Sequence, residues 1–295
     1  MYKTLNAYLR QRFGCKVYKL ALDGGMTCPN RDGALGRRGC IFCSGSGEFA
    51  EGGGEIAEQL RRARLRVAAK VPPDCKYIAY FQSYTNTYAP VSRLEPLFRA
   101  AIEPDDVAAL SIATRPDCLP PEVLDLLERL NREKPVFVEL GLQTIHPESA
   151  RYIRRGYELP VYDEAVRALR ERDLEVVAHM IAGLPGETRD MTVETARYIG
   201  QSGANGIKIH LLHILRGTDL AAEYEAGRVP VLTMDEYIET VAACLRVLPP
   251  EIVIHRLTGD GDKRTLLAPL WSADKKAVLA AMNRALRDVQ QGEDL

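Results

Sequence analysis

Short β-rich runs alternate with longer helical runs through most of this 295-residue chain, and that alternation restricts it to a parallel α/β fold. Lys16–Leu22, Lys76–Gln82, Val107–Thr114, Pro135–Gln143, Leu174–Ala182 and Gly206–Leu212 read as strands. Glu55–Lys70, Ser92–Ile102, Pro120–Asn131, Pro147–Arg154, Val161–Arg172 and Arg189–Ser202 read as the helices between them. Proline at the start of the third helix fits a position whose N–H needs no partner. A helix over Thr233–Leu248, a late strand over Glu251–His255 and a helix over Ala273–Val289 complete the pattern. Six β/α units predict a partial TIM-type (β/α)6 barrel with N- and C-terminal extensions over its open side; a doubly wound sheet is the alternative. The barrel is expected over residues 1–250, with residues 251–295 as a C-terminal extension packing on it.

Alternation within the strands marks a polar lumen. In Val138–Gln143 the apolar residues share one face, with Glu139, Gly141 and Gln143 on the other. In Ile207–Leu211 the apolar set again shares a face, opposite Lys208 and His210, and His179 sits near the end of the fifth strand. Barrel interiors are ordinarily filled by Val, Ile and Leu, and charge inside one is costly unless it pairs or binds something. The lumen therefore reads as a site, or more plainly as an internal Glu139–Lys208 ion pair. Lys208 and His210 are the candidate acid–base groups, with His213 three residues on; imidazoles suit that work near neutral pH.

Seven cysteines is an odd number, the opening Met1–Asn6 is polar and mixed, and no apolar run approaches a membrane span of roughly 20 residues. A cytoplasmic protein with reduced thiols and no membrane segment is expected. The net charge of −1 conceals an asymmetry: residues 1–70 carry 13 Lys/Arg against 6 Asp/Glu, a net of +7, so the remainder sums to −8. The basic part holds Arg37, Arg38 and the run Arg61-Arg62-Ala63-Arg64-Leu65-Arg66, a patch able to meet phosphates or to serve as a solvated helix face.

Chemistry concentrates in Cys28-Pro-Asn-Arg-Asp-Gly-Ala-Leu-Gly-Arg-Arg-Gly-Cys40-Ile-Phe-Cys43, directly after the first strand. That order places the loop at the C-terminal rim, where barrel active sites lie. Three thiolates at this spacing suit zinc or an iron–sulfur cluster. Zinc ordinarily takes a fourth protein ligand, and no nearby Cys or His offers one, whereas a cubane on three cysteines leaves one iron open. Cys118 near the rim is a passive thiol or a hydrogen donor, and Cys15, Cys75 and Cys244 are scattered.

With Phe42 before its last cysteine, this loop resembles that of the radical S-adenosylmethionine (SAM) superfamily, although its first gap is longer than the common three residues. Thr27-Cys28-Pro29-Asn30-Arg31-Asp32-Gly33, Tyr84-Thr85-Asn86-Thr87-Tyr88-Ala89-Pro90 and Glu139-Leu140-Gly141-Leu142-Gln143-Thr144 together resemble its bacterial YhcC-like group. That group is related to the elongator catalytic subunit and to oxygen-independent coproporphyrinogen oxidases. The resemblance implies a [4Fe-4S] cluster on Cys28, Cys40 and Cys43, with SAM on its open iron. One electron, from a reductant such as flavodoxin or ferredoxin, then yields methionine and a 5′-deoxyadenosyl radical that takes hydrogen from substrate. It further implies that Phe42 flanks the cofactor, that Gln82 and Asn86 hold the methionyl amine, and that Arg115 pairs with a carboxylate. Glu139 and Gln143 would meet the ribose or amino acid part, and Gly183 and Gly186 would form the turn beside adenine. The segment after the second strand lacks the family's common Gly-Gly-Glu. Part of the group, the MnmL-type enzymes, is associated with the carboxymethylaminomethyl side chain of the tRNA wobble uridine, so tRNA is the expected partner. A small-molecule substrate such as a porphyrin, and a non-catalytic zinc-binding protein, are the alternatives. The Gly/Asp loop Arg256–Asp262 reads as a substrate contact or a plain turn.

Overall fold

Eight strands hydrogen-bond in the order β1-β9-β7-β6-β5-β4-β3-β2, every neighbour parallel, in the computed structural model of the chain. It describes residues 2–45, 53–259 and 261–292. In chain order, β1 (Lys3–Thr4) and α1 (Leu5–Phe13) precede β2 (Val17–Leu22), α2 (Pro29–Asp32) and α3 (Ile56–Val67). Then come β3 (Lys76–Phe81), α4 (Val91–Ile102), β4 (Val107–Thr114), α5 (Pro121–Glu133) and β5 (Val136–Gln143). The pair α6 (Pro147–Tyr152) and α7 (Leu159–Arg170) leads to β6 (Glu175–Ala182), α8 (Arg189–Gln201) and β7 (Gly206–Leu211). A short β8 (Ile214–Leu215), α9 (Asp219–Glu225) and α10 (Met234–Val247) precede β9 (Val253–Arg256), β10 (Leu266–Ala268) and α11 (Lys275–Gly292).

The run β2 to β7 is the expected six-unit partial barrel, each strand beside the next and joined through helices, as parallel strands require. Among the described residues the strand order is not a doubly wound one. Residues beyond 250 complete the sheet: β9 pairs with β7 through Gly206↔Val253 and Ile207↔Ile254, and β1 pairs with β9. On α11, Met282 and Leu286 are buried in the main core. The helix α1 was not expected. Thr4 caps it by accepting from the Ala7 N–H, and Gly14 ends it in the left-handed region, φ +72°.

Outward-facing strand residues such as Ala79, Leu110, Val138 and Ala178 pack with the helices in the main core. Their inward neighbours Ile78, Ala109, Phe137 and Val177 form a separate cluster with Leu9 of α1. Thus α1 plugs the N-terminal end of the lumen. The next inward positions, two residues further along each strand, are Tyr80, Ser111, Glu139 and His179. Two successive layers of one barrel differ completely in polarity. No helix among the described residues is long and apolar enough to cross a membrane.

Candidate metal and cofactor site

The cysteine loop folds back on itself before it meets the barrel. Pro29 occupies the first position of α2, and the Cys28 carbonyl accepts from the N–H groups of Arg31 (2.8 Å) and Asp32 (3.1 Å). Leu35 and Gly36 donate to the Pro29 carbonyl (2.8 and 3.2 Å), and Gly39 donates to that of Asn30 (2.8 Å). Eleven residues are thereby wound up, and Cys40 returns beside Cys28. The Cys43 N–H donates to the Cys40 carbonyl at 3.0 Å, closing a tight turn. Two outside contacts fix this turn: Ile41 N–H to the Ile153 carbonyl (3.2 Å) and Leu220 N–H to the Ile41 carbonyl (3.0 Å). The guanidinium groups of Arg38 and Arg154 converge on the Asp219 carboxylate at 2.8 and 2.6 Å.

All three cysteines line one cleft of about 380 Å³, whose floor is the lumen, within the size range of small-ligand sites. All seven cysteines of the chain are free thiols. Burial, reinforced by the neighbouring Cys43, pushes the Cys40 thiol up to about 11. A thiol so placed stays protonated near neutral pH, and a metal ion bound there would have to displace that proton.

On the floor, Glu139 is a charge hub with no exposed side-chain surface. One oxygen accepts from Lys19 Nζ (2.6 Å) and Ser111 Oγ (2.7 Å). The other meets His179 Nε2 (2.7 Å) and the ammonium of Lys208, which also donates to the Tyr80 hydroxyl (3.1 Å). Burial works against the Glu139 charge, but Lys19 and Lys208 overcome it and hold the carboxyl well below the usual range. Burial pulls Lys208 down to about 7, against the pull of Glu139. Burial and the Lys208 charge pull His179 down to about 4, and burial leaves His210, whose ring lies 5.1 Å from that of His179, well below the usual histidine range.

Of the residues expected to act here, Phe42, Gln82, Arg115, Glu139, Gln143, Lys208 and His210 line the cleft with Cys28, Cys40 and Cys43. Nε2 of Gln82 and Nε2 of His210 are buried with no hydrogen-bond partner. Gln143 sits in the left-handed region, φ +68°, at the end of β5, where a non-glycine residue stores strain typical of binding sites. Arg115 forms the expected bidentate pair, but with Asp117 (2.8 and 2.7 Å), and its remaining nitrogen donates to the Arg155 carbonyl. Asn86 is fully buried, donates to the Ala113 carbonyl (2.9 Å) and is not among the lining residues. Gly183 and Gly186 (φ +85° and +84°) shape the turn into α8 and do not line the cleft either. Arg256 reaches the cleft, His213 does not line it, and Asp260 of the Gly/Asp loop lies outside the described residues. Cys118 is buried, its thiol pushed up to about 12 by burial and Asp117.

Sequence reasoning missed Lys19, Tyr80, Ser111, Asn30 and the turn at Arg155–Tyr157. Lys19 carried the same signal as Glu139, a charge at an inward position of an apolar strand. Arg155 carried none: it is 2% exposed and donates to the backbone carbonyls of Leu142 (3.1 Å), Thr144 (2.6 Å) and Tyr157 (3.0 Å).

Three free, partly exposed thiols at the mouth and two unsatisfied buried nitrogens in the same cleft fit a cluster with a polar cofactor beside it. Residues 34–199 match the model of the radical SAM superfamily, and residues 204–288 match that of the radical SAM C-terminal domain. The chain is 47% identical to YtqA of Bacillus subtilis over 290 residues, 97% of this chain and 90% of that protein. It is 39% identical to YhcC of Escherichia coli K12 over 284 residues, 95% and 90% of the two chains. A tRNA uridine(34) acetyltransferase of Methanocaldococcus jannaschii is 26% identical over 155 residues, 52% of this chain and 28% of that protein. Among solved structures, the archaeal Elp3 of Methanocaldococcus infernus superposes with a TM-score of 0.68 at 17% identity, covering 91% of this chain and 63% of that one. The cysteine mouth, the parallel partial barrel and these matches have one explanation: the chain belongs to the radical SAM superfamily of iron–sulfur enzymes, in its YhcC-like group.

Proposed function

We propose that the protein cleaves SAM reductively and uses the resulting radical to modify the side chain of a tRNA wobble uridine. The observation that carries the reductive chemistry is the meeting of three free cysteines and a polar barrel lumen in one cleft. A [4Fe-4S] cluster held there, once reduced by an external one-electron donor, would pass that electron to bound SAM and so supply a 5′-deoxyadenosyl radical able to take a hydrogen atom from substrate. The chain's own residues do the rest. Cys28, Cys40 and Cys43 supply thiolates. Gln82, with its amide nitrogen unsatisfied, is placed to bind a polar group of the cofactor. The Glu139 hub locks Lys19, Lys208 and His179 in one arrangement and keeps the floor of the cleft rigid. Lys208, near neutrality, can hold or release a proton at Nζ, while burial keeps the neighbouring His210 ring neutral.

The tRNA part rests on the partial match to a protein named tRNA uridine(34) acetyltransferase and on the basic bias of residues 1–70. At the rim, Tyr84 is 41% exposed and faces Arg31, a pairing suited to stacking an unpaired base. Protein reconstituted anaerobically is expected to hold ~four irons with matching sulfide. It should release 5′-deoxyadenosine with SAM and a strong reductant, and Cys28→Ala, Cys40→Ala and Cys43→Ala should each abolish release. Zinc in place of iron in anaerobically prepared protein would sink the reductive reading. Nucleosides of tRNA from a strain lacking the protein should accumulate an unprocessed wobble uridine. An unchanged nucleoside profile, with SAM cleavage intact, would move the substrate to a small molecule.

A further inference from the structure

Asn30 lies two residues after the first cysteine, yet its side chain serves the second. Its Nδ2 stands 3.4 Å from Cys40 Sγ, 2.8 Å from the Arg154 carbonyl and 3.2 Å from the Arg155 carbonyl. The two carbonyls fix the orientation of the amide, because only its NH2 end can face them. Asn30 is 5% exposed, and its Oδ1 packs against Gly156, where an added Cβ would stand 2.7 Å away. Gly156 has φ +85°, so the turn presents bare backbone at the one place where the Asn30 amide needs room.

The free thiol has its own use for this corner. Cys40 Sγ lies 3.6 Å from the Arg154 carbonyl and can donate its S–H there. Metal binding removes that proton, leaving a thiolate against a carbonyl oxygen, two acceptors with nothing between them. The Asn30 NH2 group touches both and can give one hydrogen to each, because the Arg155 carbonyl already accepts from Arg115 Nη1 at 2.8 Å.

We infer that Asn30 donates an N–H···S hydrogen bond to the Cys40 thiolate and so raises the reduction potential of the cluster, acting as a positioning residue through Cys40. Such bonds draw electron density from the sulfur and favour the reduced state. The inference rests on the cluster reading of the three cysteines and needs no particular substrate.

The decisive sample is anaerobic, iron-loaded wild-type protein carrying 15N only in asparagine side-chain amides, with its cluster reduced in the absence of SAM. Pulsed EPR should show a 15N hyperfine coupling that is lost in Asn30→Ala, and redox titration of Asn30→Ala should give a more negative midpoint than wild type. A wild-type cluster without the 15N coupling would overturn the inference, and so would an Asn30→Ala protein that keeps its irons and its midpoint. Should Asn30→Ala fail to load iron, the wild-type 15N spectrum decides alone. Absence of iron from wild type refutes the cluster itself, a different outcome from iron without the coupling.

Discussion

Replacing Glu139 by glutamine keeps the shape of the hub and removes its only carboxylate. The wild-type carboxylate is fully enclosed and binds Lys19, Ser111, His179 and Lys208, and the Lys208 side chain is itself only 5% exposed. At pH 6 the Lys208 amine, pulled down to about 7, is mostly charged, and Glu139 is what keeps it so; Glu139→Gln strands the ammonium, which then gives up its proton on folding. Giving it up costs about 1.4 kcal/mol per pH unit below 7, so the loss at pH 6 should exceed that at pH 9 by about 1.4 kcal/mol. At pH 9 that amine is neutral with or without Glu139, and the loss shrinks to the remaining hydrogen bonds and the Lys19 pairing, about 1–2 kcal/mol. Urea unfolding of reduced, iron-free protein followed by circular dichroism at the two pH values measures both numbers by linear extrapolation. Adding Lys208→Met to Glu139→Gln removes the stranded charge and should recover much of the pH 6 loss, a non-additive result expected of partners in contact. Equal losses at pH 6 and pH 9, or a double variant no better than the single one at pH 6, would refute the hub as an electrostatic unit.

Three further outcomes follow from the same structure. Burial lowers His179 to about 4 in the folded state, so between about pH 4 and pH 6.5 the unfolded chain binds the extra proton and stability rises with pH, by at most about 3 kcal/mol for this group. Thermal unfolding from pH 7 to pH 4.5 should show the decline, and a His179→Gln variant with an undiminished slope would contradict it. Leu9 is 3% exposed in the plug under the lumen, so Leu9→Ala should cost about 2–5 kcal/mol in urea unfolding; a loss below 1 kcal/mol would mean that α1 does not seal the barrel. Thr233 and Glu236 form a reciprocal capping box at the start of α10, so Thr233→Ala should cost about 0.5–2 kcal/mol, and no change in the unfolding midpoint would show the cap to be idle.

The six barrel strands were legible because parallel strands covered on both sides leave long apolar runs, and each observed strand falls within two residues of its expected ends. The helix α1 was not, because only Leu9 of its nine residues is buried; its reason for existing is the hole beneath the barrel, which no local pattern contains. The spacing of the cysteine loop predicts three thiols able to meet, and the structure brings all three to one cleft. That eleven residues could separate two of its cysteines and still bring them to one cleft depends on Asn30, Gly39 and the turn at Arg154–Gly156, contacts made across more than 110 positions of sequence.

The lumen marks the boundary of what strand periodicity can say. A period of two puts Glu139 and Lys208 on inward faces, but it cannot say which strand brings the partner, and Lys19 reaches Glu139 from 120 residues away. Arg115 makes the same point: its fork suits a carboxylate, and the fold supplies one two residues along at Asp117. Inside the hub two ammonium groups face a single carboxylate. A low-dielectric interior does not tolerate that surplus. Glu139 cannot give up its charge, because both lysines favour it, and Lys19, at 22% side-chain exposure, keeps contact with water. The adjustment falls on Lys208, the more deeply buried amine. Burial, helped by the Lys19 charge and opposed by Glu139, brings it down to about 7, and that puts a group able to exchange a proton near neutral pH at the floor of the cleft.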